Sequence, residues 1–429
     1  MPNLDAIVLA ADRLANVRIA GLTAKERAVR VAKRAGADRV LVLDHTADLA
    51  AWRAGRTGPL LVIRANQLVH TPLVAPLVAA MPSGDEIVAA VVPDDAAVQD
   101  LTPGSLAGAW IAAGRSVDLV LAAIVGGDTE LTSLSTTKIV HGKIARAPIG
   151  TPAELRGAHR LLYRILVKHQ DNAITRYLYR PVSFPLTRLL VWTPITPNQI
   201  SYVVAIMVAI GCWFTASLST TNVLIGSVIL LAASYVDCCD GEVARVKLLS
   251  SRFGAWVDTI VDELSSVGYM AALGWHCHLM YGDAGVDPWV EATMIATAIF
   301  VWVIYCIYYN IIVAVGSANS QDYVGSFEVA PGRDASSVKL VPAAPKAIVT
   351  KRELPLWLQW LATYAPYAVR RDFISWGTVV LAALHMGRFT FVGLVAGGVV
   401  TGVIVTIDHV RLRSLRRSIA RRGLVVEAP

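Results

Sequence analysis

The sequence predicts a soluble α/β domain followed by an all-α membrane domain with six transmembrane helices and a site on the cytoplasmic side. Of the 429 residues, 55% are hydrophobic and only 17% are charged, and the mean hydropathy is +0.53. This composition is more apolar than that of soluble proteins. Charged residues occur throughout residues 1–190, whereas most long uncharged runs lie beyond residue 200. The apolar part therefore follows a soluble part.

The α/β domain is predicted at residues 1–152. Strand-like runs such as AIVLA (6–10), RVLVLD (39–44) and EIVAAVV (86–92) alternate with helix-like segments such as KERAVRVAKRAG (25–36). This alternation predicts a mainly parallel sheet, with any ligand site at the carboxyl ends of its strands. The N-terminus lacks the basic region of a secretory signal, so we expect this domain to stay in the cytoplasm.

A linker and an interfacial helix are predicted at residues 153–199. Arg176, Arg180 and Arg188 alternate there with aromatic side chains. Interleaved basic and aromatic residues suit a helix that lies in the lipid headgroup region. The alternative is a linker helix that packs on the soluble domain.

Six apolar runs predict transmembrane helices within residues 200–429, because most of them have about the length that crosses a hydrocarbon core. Basic residues cluster between the second and third runs, before the fifth and after the sixth. By the positive-inside rule, both termini are cytoplasmic, and we expect the chain in the cytoplasmic membrane. The net charge of +7 reflects these clusters, which favours anionic membrane lipids over nucleic acid as partners. The runs are roughly 200–218, 222–240, 254–275, 289–314, 372–386 and 389–408.

Glycines in the sixth run occur at small-xxx-small spacing, at Gly393, Gly397, Gly398 and Gly402. This pattern is typical of two arrangements, a dimer face between copies and close helix packing within one chain. A homodimer is expected, and the sequence leaves its face open.

Four aspartates flank the short basic loop between the second and third runs. Asp237 and Asp240 are three residues apart, and Asp258 and Asp262 are four apart, so each pair shares a helix face. Antiparallel helices would bring the two pairs together at one membrane depth. Four carboxylates there are tolerated only when cations or protons neutralise them. Oxygen ligands favour hard divalent ions, Mg²⁺ or Mn²⁺ with Ca²⁺ as a substitute, and such ions also bind diphosphates.

Small residues accompany these aspartates. Gly241 and Ala244 share the helix face of the first aspartate pair, and Gly254 lies one turn before Asp258. Missing side chains let a nucleotide approach the backbone closely, although such residues also serve helix packing. Together with the metal ligands, they point to a substrate that carries phosphate.

The spacing D-x2-D-G-x2-A-R-x8-G-x3-D-x3-D resembles the signature of the CDP-alcohol phosphatidyltransferase family, also called class I CDP-alcohol phosphotransferases. Upstream, Thr196-Pro197-Asn198-Gln199 resembles the Pro-Asn element that opens the first span in many members. The family's six-helix fold with a cytoplasmic-side site agrees with the predicted topology. The surrounding residues are most similar to two-domain members of the di-inositol-phosphate phosphate synthase type. The eight signature positions are Asp237, Asp240, Gly241, Ala244, Arg245, Gly254, Asp258 and Asp262.

The resemblance implies a metal-dependent transfer that releases CMP. Asp237, Asp240 and Asp258 would hold one or two metal ions against the diphosphate of a CDP-linked donor. Asp262 would join the metal site and act as the general base. The transferred group would be a phosphatidyl or phosphoinositol group, and the acceptor a polar alcohol such as inositol phosphate. The residues implied in CDP binding are Asn198, Asp237, Gly241, Ala244, Arg245 and Gly254.

A phosphorylated acceptor would need basic side chains beside the metal site. Arg252, Arg370 and Arg371 lie on the predicted cytoplasmic side and are candidates for holding the acceptor phosphate. Their alternative role is that of positive-inside anchors. Arg245 has two interpretations, a contact with the donor diphosphate and an ion pair with a carboxylate.

The N-terminal domain resembles the cytidylyltransferase domain of two-domain relatives, because AIVLAA (6–11) looks like the first strand of a nucleotidyltransferase. Asp12-Arg13-Leu14-Ala15 then replaces the expected Gly-rich loop, and Asn66 stands where a metal-binding aspartate is expected. We therefore predict a nucleotidyltransferase-like fold that has lost CDP-alcohol synthesis.

Two alternative functions stay open at this point. One is a bifunctional enzyme whose N-terminal domain still makes the CDP-alcohol from CTP. The other is a cation transporter that uses intramembrane carboxylates, which leaves the spacing of the small residues unexplained.

Overall fold

The chain divides into two compact units. The N-terminal unit comprises Met1–Asp171, Thr187–Pro194 and Glu242–Leu249, and the membrane unit contains the other residues. The sequence-based domain breaks after residues 152 and 199 stay a prediction. The computed structural model describes residues 3–44, 48–82, 84–93, 104–134, 136–167, 173–283, 285–317, 322–334, 336–343, 355 and 371–427.

The N-terminal unit alternates strands and helices, as its sequence predicts. Its helices are α1 (Ala24–Arg34), α2 (Leu49–Arg53), α3 (Ala75–Ala79), α4 (Ser116–Val125) and α5 (Pro152–Tyr163). Its strands are β1 (Asp5–Leu9), β2 (Arg18–Ile19), β3 (Leu22–Thr23), β4 (Arg39–Leu43), β5 (Leu60–Arg64), β6 (Leu68–Val69), β7 (Ile87–Val91), β8 (Leu106–Ala112), β9 (Thr137–Val140) and β10 (Arg146–Ala147).

Six of these strands form one sheet in the order β4-β1-β5-β8-β7-β9. Strand β1 pairs in parallel with β4 and β5, and β9 pairs in parallel with β7. Strand β8 runs antiparallel to both β5 and β7. Five strands of this sheet therefore share one direction, which confirms the predicted α/β domain with a mainly parallel sheet.

Strand β1 is buried on both faces of the sheet. Ala6 and Val8 pack in one hydrophobic cluster with Val31 of α1, whereas Ile7 packs in a second cluster with Trp110 of β8. Strands covered on both faces are apolar along their whole length. This double cover explains the uninterrupted run AIVLA.

His70 gives the N-terminal unit a predicted sensitivity to acid. Burial, followed by the charges of Arg27 and Arg34, lowers the pKa of His70 from 6.5 to about 4. The unfolded chain takes up this proton near pH 6.5, so the unfolded state binds more protons than the folded state between about pH 6.5 and 4. The free energy of unfolding should therefore decrease as the pH is lowered from about 6.5 to 4, by up to about 3 kcal/mol.

Thermal unfolding of the full chain at neutral pH and at about pH 5 measures this loss. His70→Gln removes the titrating ring, so its two unfolding temperatures should lie closer together than those of the parent protein. Equal pH dependence in both proteins would contradict the assignment to His70.

The membrane unit is helical. Its helices are α6 (Arg180–Val191), α7 (Pro197–Thr215), α8 (Thr220–Val246), α9 (Arg252–Tyr281), α10 (Pro288–Asn310), α11 (Arg371–Ala383) and α12 (Gly387–Arg421). The last residues of α6 and α8 are grouped with the N-terminal unit. Strands β11 (Phe327–Pro331), β12 (Ser337–Pro342) and β13 (Val425–Val426) form a small sheet.

Four of the described helical segments are long and apolar enough to cross a membrane: Pro197–Thr215, Thr220–Val246, Pro288–Val315 and Gly387–Arg421. The predicted count of six is therefore not confirmed. Helix α9 has 30 residues but carries acidic and histidine side chains, which lower its hydropathy. Helix α11 has 13 residues, fewer than the roughly 20 that span a bilayer.

The glycine pattern of α12 serves packing inside the chain at two positions. A Cβ atom added to Gly398 would lie 2.7 Å from the Phe300 ring of α10, and one added to Gly402 would lie 3.1 Å from Ile299. Gly393 and Gly397 have no neighbour within 4 Å of such an atom among the described residues. Close packing within one chain therefore accounts for two of the four glycines, and the homodimer remains a prediction.

Candidate active site

Helices α8 and α9 bring three of the four aspartates together. Carboxylate oxygens of Asp237, Asp240 and Asp258 all lie within 4.8 Å of one another. Asp240 is 6% exposed, and the other two are half-buried. Helix α9 begins where its amino-terminal cap, Ser251 Oγ, accepts a hydrogen bond of 2.9 Å from the Gly254 N–H. This start places Asp258 in the second turn of α9.

Asp262 lies one turn further along α9 and is half-buried. It is not a member of the three-carboxylate group. Its main-chain carbonyl accepts hydrogen bonds from Ser265 Oγ at 2.7 Å and Ser266 Oγ at 3.2 Å. A carboxylate beside the group, but outside it, is the one most able to exchange a proton.

The three-carboxylate group suits a hard divalent cation. All of its donors are oxygens, and it offers three ligands without nitrogen or sulfur. Like charges at these separations repel strongly, and a bound divalent ion removes that repulsion. The residues therefore fit Mg²⁺ or Mn²⁺, whose identity the donor set leaves open.

Ser201 of α7 is a contact that the sequence analysis missed. Its Oγ donates a hydrogen bond of 2.6 Å to Asp240 Oδ2, in a buried environment. This bond fixes the orientation of a carboxylate that has little access to water. Ser201 lies three residues after Asn198, on the same helix face as the Pro-Asn element, which was the only signal in the sequence that could have identified it.

Asn198 and Gly254 meet where α7 and α9 begin. A Cβ atom on Gly254 would lie 2.9 Å from Asn198 Oδ1 and 3.1 Å from Ser251 Oγ. A methyl group at position 254 would therefore push the amide aside. The structure thus brings together two residues that the family resemblance assigns to CDP binding.

The other predicted residues are placed as follows. Ala244 is buried and Gly241 and Arg245 are half-buried, all in the last two turns of α8. Arg252 is exposed at the first residue of α9. Arg370 and the side chain of Arg371 lie outside the described residues. The acceptor-phosphate assignment therefore stays a prediction.

A second missed feature is the buried acid Glu242. It is 0% exposed, and Thr187 Oγ1 donates a hydrogen bond of 2.6 Å to its Oε2. Glu242 occupies an unspecified position of the signature, so the motif gave no reason to single it out.

An apolar cavity of about 600 Å³ lies inside the membrane unit. Ser234, three residues before Asp237, and Ser265, three residues after Asp262, contribute to its wall. Phe300 and Leu394 are among its apolar side chains. The cavity thus shares helices α8 and α9 with the aspartates.

Removing the Ser201 hydroxyl should weaken metal binding without unfolding the protein. In Ser201→Ala, Asp240 loses a charge-assisted hydrogen bond worth about 1.5–3 kcal/mol. Loss of a residue that hydrogen-bonds to a metal ligand typically lowers the metal affinity about 10–100-fold. We expect the half-saturating Mn²⁺ concentration to rise at least tenfold. Ser418→Ala is the matched control, because that hydroxyl bonds only its own helix, at Leu415 O. Equal Mn²⁺ affinity in both variants would contradict the assignment.

The segment that carries these aspartates is similar to known proteins. Residues 194–369 match the profile described as CDP-alcohol phosphatidyltransferase, and this range contains all four aspartates. This segment of the chain is similar to the CDP-alcohol phosphatidyltransferase family. The three-carboxylate group lies within this matched segment, on helices α8 and α9. Of these two helices, α8 is long and apolar enough to cross a membrane.

Three curated relatives of the family illustrate the similarity. A protein from Aquifex aeolicus named bifunctional IPC transferase and DIPP synthase is 29% identical over 147 residues, which are 34% of this chain and 32% of the relative. Its namesake from Thermococcus kodakarensis is 31% identical over 128 residues, 30% of this chain and 28% of the relative. The CDP-diacylglycerol–inositol 3-phosphatidyltransferase of Drosophila melanogaster is 30% identical over 79 residues, 18% of this chain and 34% of the relative. The matched residues thus span about a third of the length of each of these three relatives.

Proposed function

We propose that this chain is a metal-dependent phosphotransferase that moves a phosphatidyl group from a CDP-linked donor to a hydroxyl of a polar alcohol and releases CMP. One observation carries the proposal: three carboxylates meet within 4.8 Å in the segment that matches the family. Two helices that hold acidic side chains together in this way are suited to a divalent ion and a diphosphate.

The side chains divide the chemical work. A divalent ion held by Asp237, Asp240 and Asp258 would offset the charge on the donor diphosphate. Asp262 takes the proton of the acceptor hydroxyl while the acceptor oxygen forms a bond to the β-phosphorus. The bond from that phosphorus to the bridging oxygen breaks, and CMP leaves with the electron pair. Ser201 holds Asp240 in position throughout.

The apolar cavity favours a donor with a lipid part. A volume of about 600 Å³ lies within the range of ligand sites, and its wall inside the membrane unit is mainly apolar. An acyl chain would fill it more favourably than a sugar phosphate, because apolar surface gains free energy on leaving water. We therefore propose CDP-diacylglycerol as the donor and a polar alcohol, such as inositol phosphate, as the acceptor. A CDP-inositol donor is the competing candidate.

We further propose that the N-terminal unit keeps a nucleotidyltransferase-like fold without its reaction. After β1, Asp12 caps a short 3₁₀ turn at Arg13–Asn16, because its Oδ1 accepts the Leu14 N–H at 2.9 Å. The acid at this position repels phosphate, whereas a Gly-rich loop would cradle it. Incubation of the full chain with CTP and phosphoalcohols should therefore yield no pyrophosphate.

The membrane orientation is part of the proposal. Basic residues between the second and third runs, and in the tail beyond α12, support cytoplasmic termini and a site that opens to the cytoplasm. Anionic lipids would then contact the tail.

A transfer assay tests the function. Purified protein in liposomes is incubated with Mg²⁺ and either CDP-diacylglycerol or CDP-inositol, together with a panel of alcohols, and CMP and product are identified. We expect CMP only with the lipid donor and only without a chelator. CMP from CDP-inositol alone would replace the proposed donor, and cation flux without CMP would favour a transporter.

A further inference from the structure

The segment Glu242–Leu249, which ends α8 and follows it, is grouped with the N-terminal unit. Val246 is 0% exposed and Leu248 is 5% exposed. Leu248 belongs to the same hydrophobic cluster as Val31 of α1 and Val8 of β1. Its φ of +55° is a strained value for a branched side chain, so packing holds it there. The loop between the two aspartate pairs thus forms part of the core of a soluble fold.

Two arginines of α1 hold the end of α8 through its main chain. Arg27 is fully buried and donates hydrogen bonds to Val246 O at 2.9 Å and to Ile19 O at 3.2 Å. Arg30 donates to Lys247 O at 2.6 Å. The last carbonyls of a helix lack partners within the helix and carry its negative dipole end, so cations suit this place.

The charge of Arg27 is retained in this buried position. Burial, followed by the charge of Arg30, lowers the pKa of Arg27 to about 10, so the guanidinium stays protonated at neutral pH. Among the described residues, no carboxylate forms an ion pair with it. A buried cation is expensive in free energy unless it is well hydrogen-bonded, and the partners of Arg27 are two main-chain carbonyls.

Two further side chains fix the same segment. Lys247 is 5% exposed, and its Nζ donates a hydrogen bond of 2.6 Å to Thr193 O. Thr187 Oγ1 donates to Glu242, the first residue of the segment. The segment is therefore anchored at its beginning and near its end.

Chain continuity links this segment to the aspartates. Glu242 follows Asp240 by two residues, and Leu249 precedes the α9 cap Ser251 by two residues. A change in the fold of this segment would therefore be passed along the chain to the helices that carry Asp240 and Asp258.

We propose that Arg27 is a positioning residue for the transfer reaction, which sets the separation of the aspartate pairs by holding the carboxyl end of α8. Arg30 supports it in this role. The inference rests on the proposed function. It gives the N-terminal unit a role in positioning the site, although this unit is proposed to have lost its nucleotide chemistry.

Hydrogen exchange and Mn²⁺ binding on the full chain test this role. In Arg27→Met, we expect amides of residues 242–251 to exchange at least tenfold faster, the Mn²⁺ dissociation constant measured by electron paramagnetic resonance to rise at least fivefold, and kcat to fall more than KM changes. Arg27→Lys, which keeps the positive charge and a single donor nitrogen, should recover part of each loss. Arg34→Met is the control, because this exposed arginine lies on the same helix, and it should behave like the parent protein.

Unchanged exchange in residues 242–251 and unchanged Mn²⁺ affinity in folded Arg27→Met would overturn the proposal. If Arg27→Met does not fold, Arg30→Met decides in the same way, because it removes only the bond to Lys247 O. The exchange and Mn²⁺ measurements need no turnover. Absence of CMP from the parent protein would therefore refute the proposed function and leave this inference to be judged by its own data.

Discussion

Asp262→Asn should lower kcat for CMP release by about 10²–10⁴-fold, the range expected when a general base is lost. The amide keeps the size of the side chain but cannot accept the hydroxyl proton. Because Asp262 is not a member of the three-carboxylate group, Mn²⁺ affinity should change only a few-fold. Stopped assays of CMP release, with Mn²⁺ binding measured in parallel, separate these two effects.

Glu263→Gln is the matched control for this variant. Glu263 is the next residue of α9, and its Oε1 accepts a hydrogen bond from Tyr308 OH at 3.1 Å. The substitution removes one negative charge close to the site, and we expect it to keep most of the turnover. Full turnover in Asp262→Asn, or equal losses in both variants, would remove Asp262 from the role of general base.

Asp258→Asn should abolish metal-dependent turnover, because one of three ligands is lost. We expect Mn²⁺ affinity to fall more than 100-fold, beyond the 10–100-fold that losses around the ligands produce. In the presence of chelator the same variant should unfold at a higher temperature than the parent protein. The substitution removes the repulsion between the carboxylate at position 258 and two carboxylates within 4.8 Å of it. We expect this change to raise the free energy of unfolding by on the order of 1–3 kcal/mol.

The opposite effects on affinity and stability distinguish a metal site from a structural cluster. Asp283→Asn, an exposed aspartate beyond the end of α9, is the control and should alter neither quantity. If Asp258→Asn lowers stability in chelator, the aspartates are held by other contacts and the metal interpretation is wrong.

Several features of this protein could be predicted from local patterns. The three- and four-residue spacing placed each aspartate pair on one helix face, and Asp237, Asp240 and Asp258 do lie together. Alternating apolar and amphipathic segments predicted a mainly parallel sheet, and the sheet has this form. Both predictions depend on the periodicity of helices and strands, which is set by residues close together in the sequence.

Other features depended on contacts between distant residues. Ser201 and Asp240 are 39 residues apart, and Arg27 and Val246 are 219 residues apart. Arg27 binds a carbonyl oxygen, which every residue carries, so no side-chain pattern could mark its partner. Between the fourth and fifth apolar runs, strands β11 and β12 form a hairpin that the sequence analysis did not predict.

By itself, the sequence determined the resemblance to a known family, the α/β and membrane character of the two parts, and the helix faces that carry the aspartates. Motif spacing and periodicity are properties of neighbouring residues. Only the tertiary structure decided that Ser201 orients Asp240, that Asp262 stands outside the three-carboxylate group, and that the loop between the aspartate pairs packs into the N-terminal core. These contacts arise when helices pack, and packing selects partners by shape and burial rather than by their order along the chain.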